Sequence, residues 1–97
     1  MKLSIGGHGY TIKERGEVLT EDGKVLLGLH DARTCTIELD SGMNASRKEE
    51  TLLHEIIHVM LTNGGFQDHS ESMIDTIANG MLQLGVGSFV WKKAQKA

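Results

Sequence analysis

Two histidines four residues apart, with a glutamate directly after the first, are the residues of this chain best suited to chemistry: His54-Glu55-Ile56-Ile57-His58. On a helix of about 3.6 residues per turn both imidazoles leave the same face one turn apart, close enough to share one metal ion. Glu55 lies about 100° round the helix from His54, so it is badly placed to ligate that ion and well placed to reach a water bound to it. This is the spacing of a metallohydrolase, and the metal it implies is Zn2+. A catalytic zinc takes three protein ligands and leaves one position open, so a further His, Asp or Glu must come close in space.

Such a site needs one helix for the pair and a second element for the third ligand. Ser46-Arg47-Lys48-Glu49 is a capping-box pattern that places a helix start nearby. Leu52, Leu53, Ile56, Ile57 and Met60 recur at three- and four-residue intervals as its buried stripe, and Asn63-Gly64-Gly65 ends it. Asp68-His69-Ser70-Glu71 reads as a second capping box, followed by Met73, Ile74, Ile77, Ala78, Met81 and Leu82 at helical spacing as far as about Leu84. The short link favours antiparallel packing, which brings the early turns of the second helix to the late turns of the first. Glu71, thirteen residues beyond His58, is the preferred third ligand, with His69 and Asp68 as rivals; a carboxylate at a helix N-terminus also suits the dipole. The metzincin pattern fails, because Leu61 and Gly64 stand where it needs a glycine and a histidine. Gly85-Val86-Gly87 breaks the second helix, and residues 88–95 form a short final helix that covers the core.

The first forty residues carry a period of two instead. Leu3 and Ile5, then Tyr10 and Ile12, alternate with polar neighbours on either side of Gly6-Gly7-His8-Gly9, which predicts a hairpin. Residues 17–24 are charged and end in the turn signal Asp22-Gly23; residues 25–30 read as a third strand, and residues 36–40 alternate again. The expected fold class is α+β. A small N-terminal antiparallel sheet of three or four strands packs on the His54-to-His58 helix and its antiparallel partner, in one domain spanning residues 1–97.

Composition narrows the classes further. Ninety-seven residues cannot hold a large substrate-binding domain, and a formal net charge of -3 gives no electrostatic reason to expect nucleic acid as partner. Lys92, Lys93 and Lys96 read as a solvated helix end. Cys35 is the single cysteine, which excludes an intrachain disulfide and a cysteine-rich zinc finger and fits a reducing cytoplasm. No window approaches the roughly 20 apolar residues of a membrane helix, and no apolar stretch near Met1 suits a signal peptide, so the expected setting is cytoplasmic without membrane attachment. His8 and His30, in or beside turns, read as surface polar residues, and Met43, Met60, Met73 and Met81 as core fillers.

With these motifs in view, the chain resembles the small HExxH zinc peptidases of the ImmA/IrrE type, including the short phage and prophage members and the minigluzincins. The resemblance covers residues 46–84 and rests on Thr51-Leu52-Leu53-His54-Glu55-Ile56-Ile57-His58 and Ile77-Ala78-Asn79-Gly80-Met81. In that family a glutamate helix supplies the third ligand and carries small or apolar residues three, six and seven positions later; Glu71 followed by Ile74, Ile77 and Ala78 matches that register, and His69 does not. The resemblance implies an edge strand above the active-site helix that pairs with an extended peptide, here residues 35–39, making Cys35, Thr36, Ile37 and Glu38 the expected substrate-binding residues. It also implies a bacterial or phage-infected host cell as the setting.

The expected function is zinc-dependent hydrolysis of peptide bonds in an intracellular protein or peptide, of the gluzincin kind. Zinc held by His54, His58 and Glu71 acidifies a water, and Glu55 acts as general base. Tyr10, His30, Arg33 and His69 are the candidates to stabilise the developing oxyanion, and Asp75 and Asn79 to hold the imidazole tautomers. A second reading is a phage-encoded or regulatory protein-binding module with structural zinc and little or no hydrolysis. A homodimer would cover apolar surface on so short a chain, and Phe89-Val90-Trp91 could plug access to the metal.

Overall fold

The computed structural model of the chain describes residues 1–16, 18–19, 25–66 and 68–96. Gly6 and Gly7 hold φ of 59° and 83°, the pair of positive angles a two-residue hairpin turn requires, and they join β1 (Lys2–Ile5) to β2 (His8–Arg15). The turn is tighter than expected, since His8 and Gly9 already pair with Ile5 and Ser4. β3 (Val18–Leu19) and β4 (Val25–Leu26) form a separate antiparallel ribbon; the Asp22-Gly23 turn lies outside the described residues. Residues 25–30 therefore divide. β4 goes to the ribbon, while β5 (Gly28–Asp31) joins the main sheet beside β6 (Thr36–Asp40).

The main sheet has four strands in the order β1-β2-β6-β5. Its outer pairs are antiparallel, as expected, but β2 and β6 run parallel, so the sheet is mixed. Parallel neighbours need a crossover of a dozen residues or more, and the segment that carries β3 to β5 supplies it. Tyr10 and Ile12 on β2 and Ile37 and Leu39 on β6 point to one face and are buried there, while Arg15 bonds both oxygens of Glu38 on the solvent face at 3.1 and 3.2 Å.

Three helices cover the apolar face: α1 (Ala45–Asn63), α2 (Glu71–Gln83) and α3 (Val86–Gln95). α1 starts a turn-fraction earlier than its capping box implied, because Asn44 rather than Ser46 is the cap: its Oδ1 accepts from the Arg47 amide at 2.9 Å, and Ser46 Oγ donates to that same oxygen. Ser70, not Asp68, caps α2 by accepting from the Met73 amide at 3.2 Å. Gly85, at φ 82°, turns the chain sharply into α3, which gains Val86 and Gly87 relative to the expected start. Leu52, Val59 and Ala94 pack against the sheet with Val90 and Trp91 beside them; Leu53 and Ile57 pack against Ile74 and Ala78 of α2. Burial of these side chains, each contributing about 1.5–3 kcal/mol, holds both layers.

One register decides what reaches the helices from the sheet edge. In β5, Gly28 lies opposite Leu39 and His30 opposite Ile37, so Gly28 and His30 share the helix-facing side while Leu29, opposite Glu38, faces out. A Cβ at Gly28 would stand 2.7 Å from Thr51 Cγ2 and 3.2 Å from Glu55 Cγ. The missing side chain thus lets β5 close onto α1. Gly28→Ala should destabilise the fold by about 1–3 kcal/mol in urea unfolding, despite alanine's better backbone propensity, because α1 must move away. An unchanged midpoint would mean that strand and helix are not tightly apposed.

Candidate metal centre

His54 and His58 lie one turn apart on α1 with their Nε2 atoms 3.1 Å from each other. α2 runs antiparallel to α1: its first residue, Glu71, meets both histidines, and Asp75, one turn on, meets His54. Glu71 Oε2 lies 3.0 Å from His54 Nε2 and Oε1 lies 3.1 Å from His58 Nε2. His54, His58 and Glu71 thus form a group that could hold a metal ion, although the geometry does not name the metal.

The hydrogen bonds behind this triangle place hydrogens on the outer ring nitrogens, while Glu71, itself only an acceptor, faces the inner ones. His54 Nδ1 is 2.9 Å from Asp75 Oδ1; a carboxylate only accepts, so Nδ1 carries the hydrogen and Nε2 presents a lone pair. His69 Nδ1 is 2.9 Å from the Phe66 carbonyl oxygen, which also only accepts, and this leaves a lone pair on His69 Nε2. That atom lies 2.6 Å from His58 Nδ1, which must therefore donate, so His58 Nε2 presents a lone pair as well. With neutral imidazoles, two nitrogens and two carboxylate oxygens converge with no hydrogen among them.

Such a donor set fits a cation. Ligands about 2.1 Å from a tetrahedral zinc are roughly 3.4 Å apart, a little wider than the separations here, and two imidazoles with one carboxylate are a combination that zinc takes. Glu71 is the exposed member, with its side chain 68% accessible, and His58 is the buried one. Of the rival ligands, Asp68 stays exposed outside the cluster, and both ring nitrogens of His69 are engaged behind His58.

Comparison with protein-family models, with curated proteins and with solved structures gives no match. The geometry of the site is therefore the ground for its reading.

Glu55 is 7% accessible although it belongs to the same exposed-looking pentapeptide. Its Oε1 receives a hydrogen bond from His30 Nδ1 at 2.8 Å, and its Oε2 lies 4.0 Å from His54 Nε2, beside the triangle. Sequence reasoning left His30 on the surface. It is instead half-buried, with its ring stacked on His58 at a centroid distance of 5.4 Å. The available signal was the two-residue period of β5: once Ile37 is core, its partner His30 must face α1. Asp75, by contrast, was expected as a tautomer-fixing acceptor and stands in that position on His54; Asn79, one turn on, lines the adjacent groove.

The expected substrate-binding residues are not at an edge. β6 is paired on both sides, in parallel with β2 and antiparallel with β5, so Thr36, Ile37 and Glu38 have no strand edge to offer, and Ile37 is wholly buried. Cys35 precedes the strand with φ 54°, and its carbonyl is taken by the Thr11 amide. The edge that lies over α1 belongs to β5. A groove of about 400 Å³ opens there, lined on one side by Leu26, Leu27 and Gly28 and on the other by His54, Glu55 and Asp75. No residue of α3 lines it, so Phe89-Val90-Trp91 is not a plug: α3 packs on the flank of α1 near β1, at the opposite end of the sheet from β5.

Among the candidates for an oxyanion partner, Tyr10 is sealed in the core, where burial and then the neighbouring Cys35 raise its hydroxyl above the usual range. Arg33 is exposed in the β5–β6 turn, held by its amide to Asp31. No helix among the described residues is long and apolar enough to cross a membrane.

His30 is raised above its ordinary 6.5, first by the hydrogen bond to Glu55, then by the charges of Glu55, Asp31 and Glu71, against an opposing effect of burial. A raised folded value means that charged His30 stabilises the fold fully below pH 6.5 and that this contribution is lost as pH rises through the raised value. Thermal melts of metal-free wild type and His30→Gln, from about pH 5 to pH 9, should therefore differ most at the acid end and converge at the alkaline end. A gap that is constant across that range would remove the charge from the account.

Proposed function

We propose that the protein is a zinc-dependent peptidase in which His54, His58 and Glu71 hold the metal and Glu55 is the general base. The observation that carries the reading is Glu55. It is buried, bound at one oxygen by His30, and its other oxygen lies 4.0 Å from His54 Nε2, beside the converging ligand atoms, where a general base would stand. When bound, zinc would act as a Lewis acid that brings the pKa of a coordinated water toward about 7.

The chain's own residues supply the rest. His30 holds Oε1 of Glu55, which leaves Oε2 free to take a proton from the attacking water and pass it to the departing amine. The acid–base work thus falls on one oxygen. Asp75 and His69 keep both ligand nitrogens unprotonated. Among the described residues no strand pairs with the outer edge of β5, which leaves that edge to an extended peptide above Glu55, a mode of binding that gives affinity with little demand on side chains. Leu27, 48% accessible, gives the groove an apolar wall. An unfolded segment of protein is accordingly the substrate class. The cytoplasm of a bacterium or phage-infected cell, and a protein or peptide as the sole kind of partner, remain parts of this proposal.

Elemental analysis of protein purified without a histidine tag should find about one zinc per chain in wild type and in Glu55→Gln, and almost none in Glu71→Ala. Against a mixture of unstructured peptides read by mass spectrometry, Glu55→Gln should lose at least ~100-fold in turnover. Equal cleavage by that variant would sink the catalytic assignment. A folded, zinc-free wild type would sink the metal centre itself.

A further inference from the structure

His69 is the one histidine of the cluster that neither ligates nor touches Glu55, and the distances around it assign it a different task. Resting on the metal-centre reading above, we propose that His69 is a positioning residue that sets the tautomer of His58 and thereby the affinity of the site for zinc.

The argument runs from the main chain outward. The Phe66 carbonyl has no hydrogen to give, so at 2.9 Å it obliges His69 to carry one on Nδ1. A neutral imidazole with Nδ1 protonated is an acceptor at Nε2, and the neighbour 2.6 Å away is His58 Nδ1. His58 then donates from Nδ1 and keeps Nε2 free to bind a cation. Without this acceptor nothing among the described contacts holds that hydrogen on Nδ1, whereas Glu71 Oε1, 3.1 Å from His58 Nε2 and able only to accept, draws it to the nitrogen that must ligate. The two rings lie with centroids 4.7 Å apart and are tilted by 49°, so His69 also limits rotation of the His58 ring.

The metal ligands are thus supported asymmetrically. His54 leans on the carboxylate of Asp75, whereas His58 leans on an uncharged ring that is itself held by backbone. Removing an outer partner of this kind commonly costs 10–100-fold in metal affinity. Glutamine can replace it: its carbonyl oxygen reaches about as far as Nε2 and accepts, while its amide can donate to the Phe66 carbonyl.

The test compares wild type, His69→Ala and His69→Gln in two measurements. In the first, zinc affinity is read by competition with a chromophoric chelator. The expected result is a dissociation constant raised about 10–100-fold by alanine and brought back to within about threefold of wild type by glutamine, with the metal-free melting temperatures of all three close together. Wild-type affinity in the alanine variant, or glutamine as weak as alanine, would overturn the proposal. In the second, 15N-edited NMR of the metal-free proteins near pH 8.5, about two units above the unperturbed imidazole value, should find the hydrogen of His58 on Nδ1 in wild type and His69→Gln and shifted toward Nε2 in His69→Ala. An unshifted tautomer would overturn it too. The second measurement needs no metal, so a wild type that shows the expected tautomer and yet holds no zinc defeats the metal-centre reading, while a zinc-binding wild type with an indifferent His69 defeats only this inference.

Discussion

With both rings neutral, the site is organised by a shortage of hydrogens. Two imidazole nitrogens and two carboxylate oxygens meet at 3.0–3.1 Å, and the outer partners of both rings hold the hydrogens on the far side. Lone pairs this close repel unless a positive charge, a proton or a metal ion, lies between them. The remaining architecture can be read as the means of holding them there. The antiparallel pair α1 and α2 is locked by Leu53, Ile57, Ile74 and Ala78, and α1 is locked to the sheet by Leu52 and Val59. A group whose members repel must borrow its rigidity from apolar packing elsewhere, and each of these side chains is buried almost completely.

Much of this was written plainly in the sequence. The four-residue spacing of His54 and His58 and Glu71 at the start of α2 follow from local rules, as do Leu52, Leu53, Ile57, Ile74 and Ala78 in the core, whereas Met60, Met73 and Ile77 share the helical period and are exposed. The helix starts were less legible. Asn44 and Ser46, like Asp68 and Ser70, are competing oxygen-bearing residues two positions apart, and backbone geometry rather than residue type decides which one caps.

The sheet order was not legible at all. Consecutive strands usually pair, and nothing in residues 36–40 announces that they insert between β2 and β5. That misplacement carried two others with it. It put the expected substrate edge on β6, which is paired on both sides, and it left His30 at the surface, although the fact that it faces α1 follows at once from its position opposite Ile37. The identity of an edge strand is a property of the whole sheet, so a local period of two can give the faces of a strand but never its neighbours.

The α1–β5 contact shows how a single absent side chain shapes the middle of the molecule. Gly28 removes the atom that would separate strand from helix, and with that gap closed His30 reaches Glu55 across the interface. Position 28 therefore sets the distance from which the neighbouring imidazole acts.

His54 and His58 are anchored unequally. The Asp75 carboxylate is more than half exposed, so the charged partner of His54 stands in contact with water. The support of His58 runs through a second imidazole into the Phe66 carbonyl, without a carboxylate in the chain of contacts. The pair thus divides into an arm that ends at a solvent-facing carboxylate and an arm that ends in the main chain.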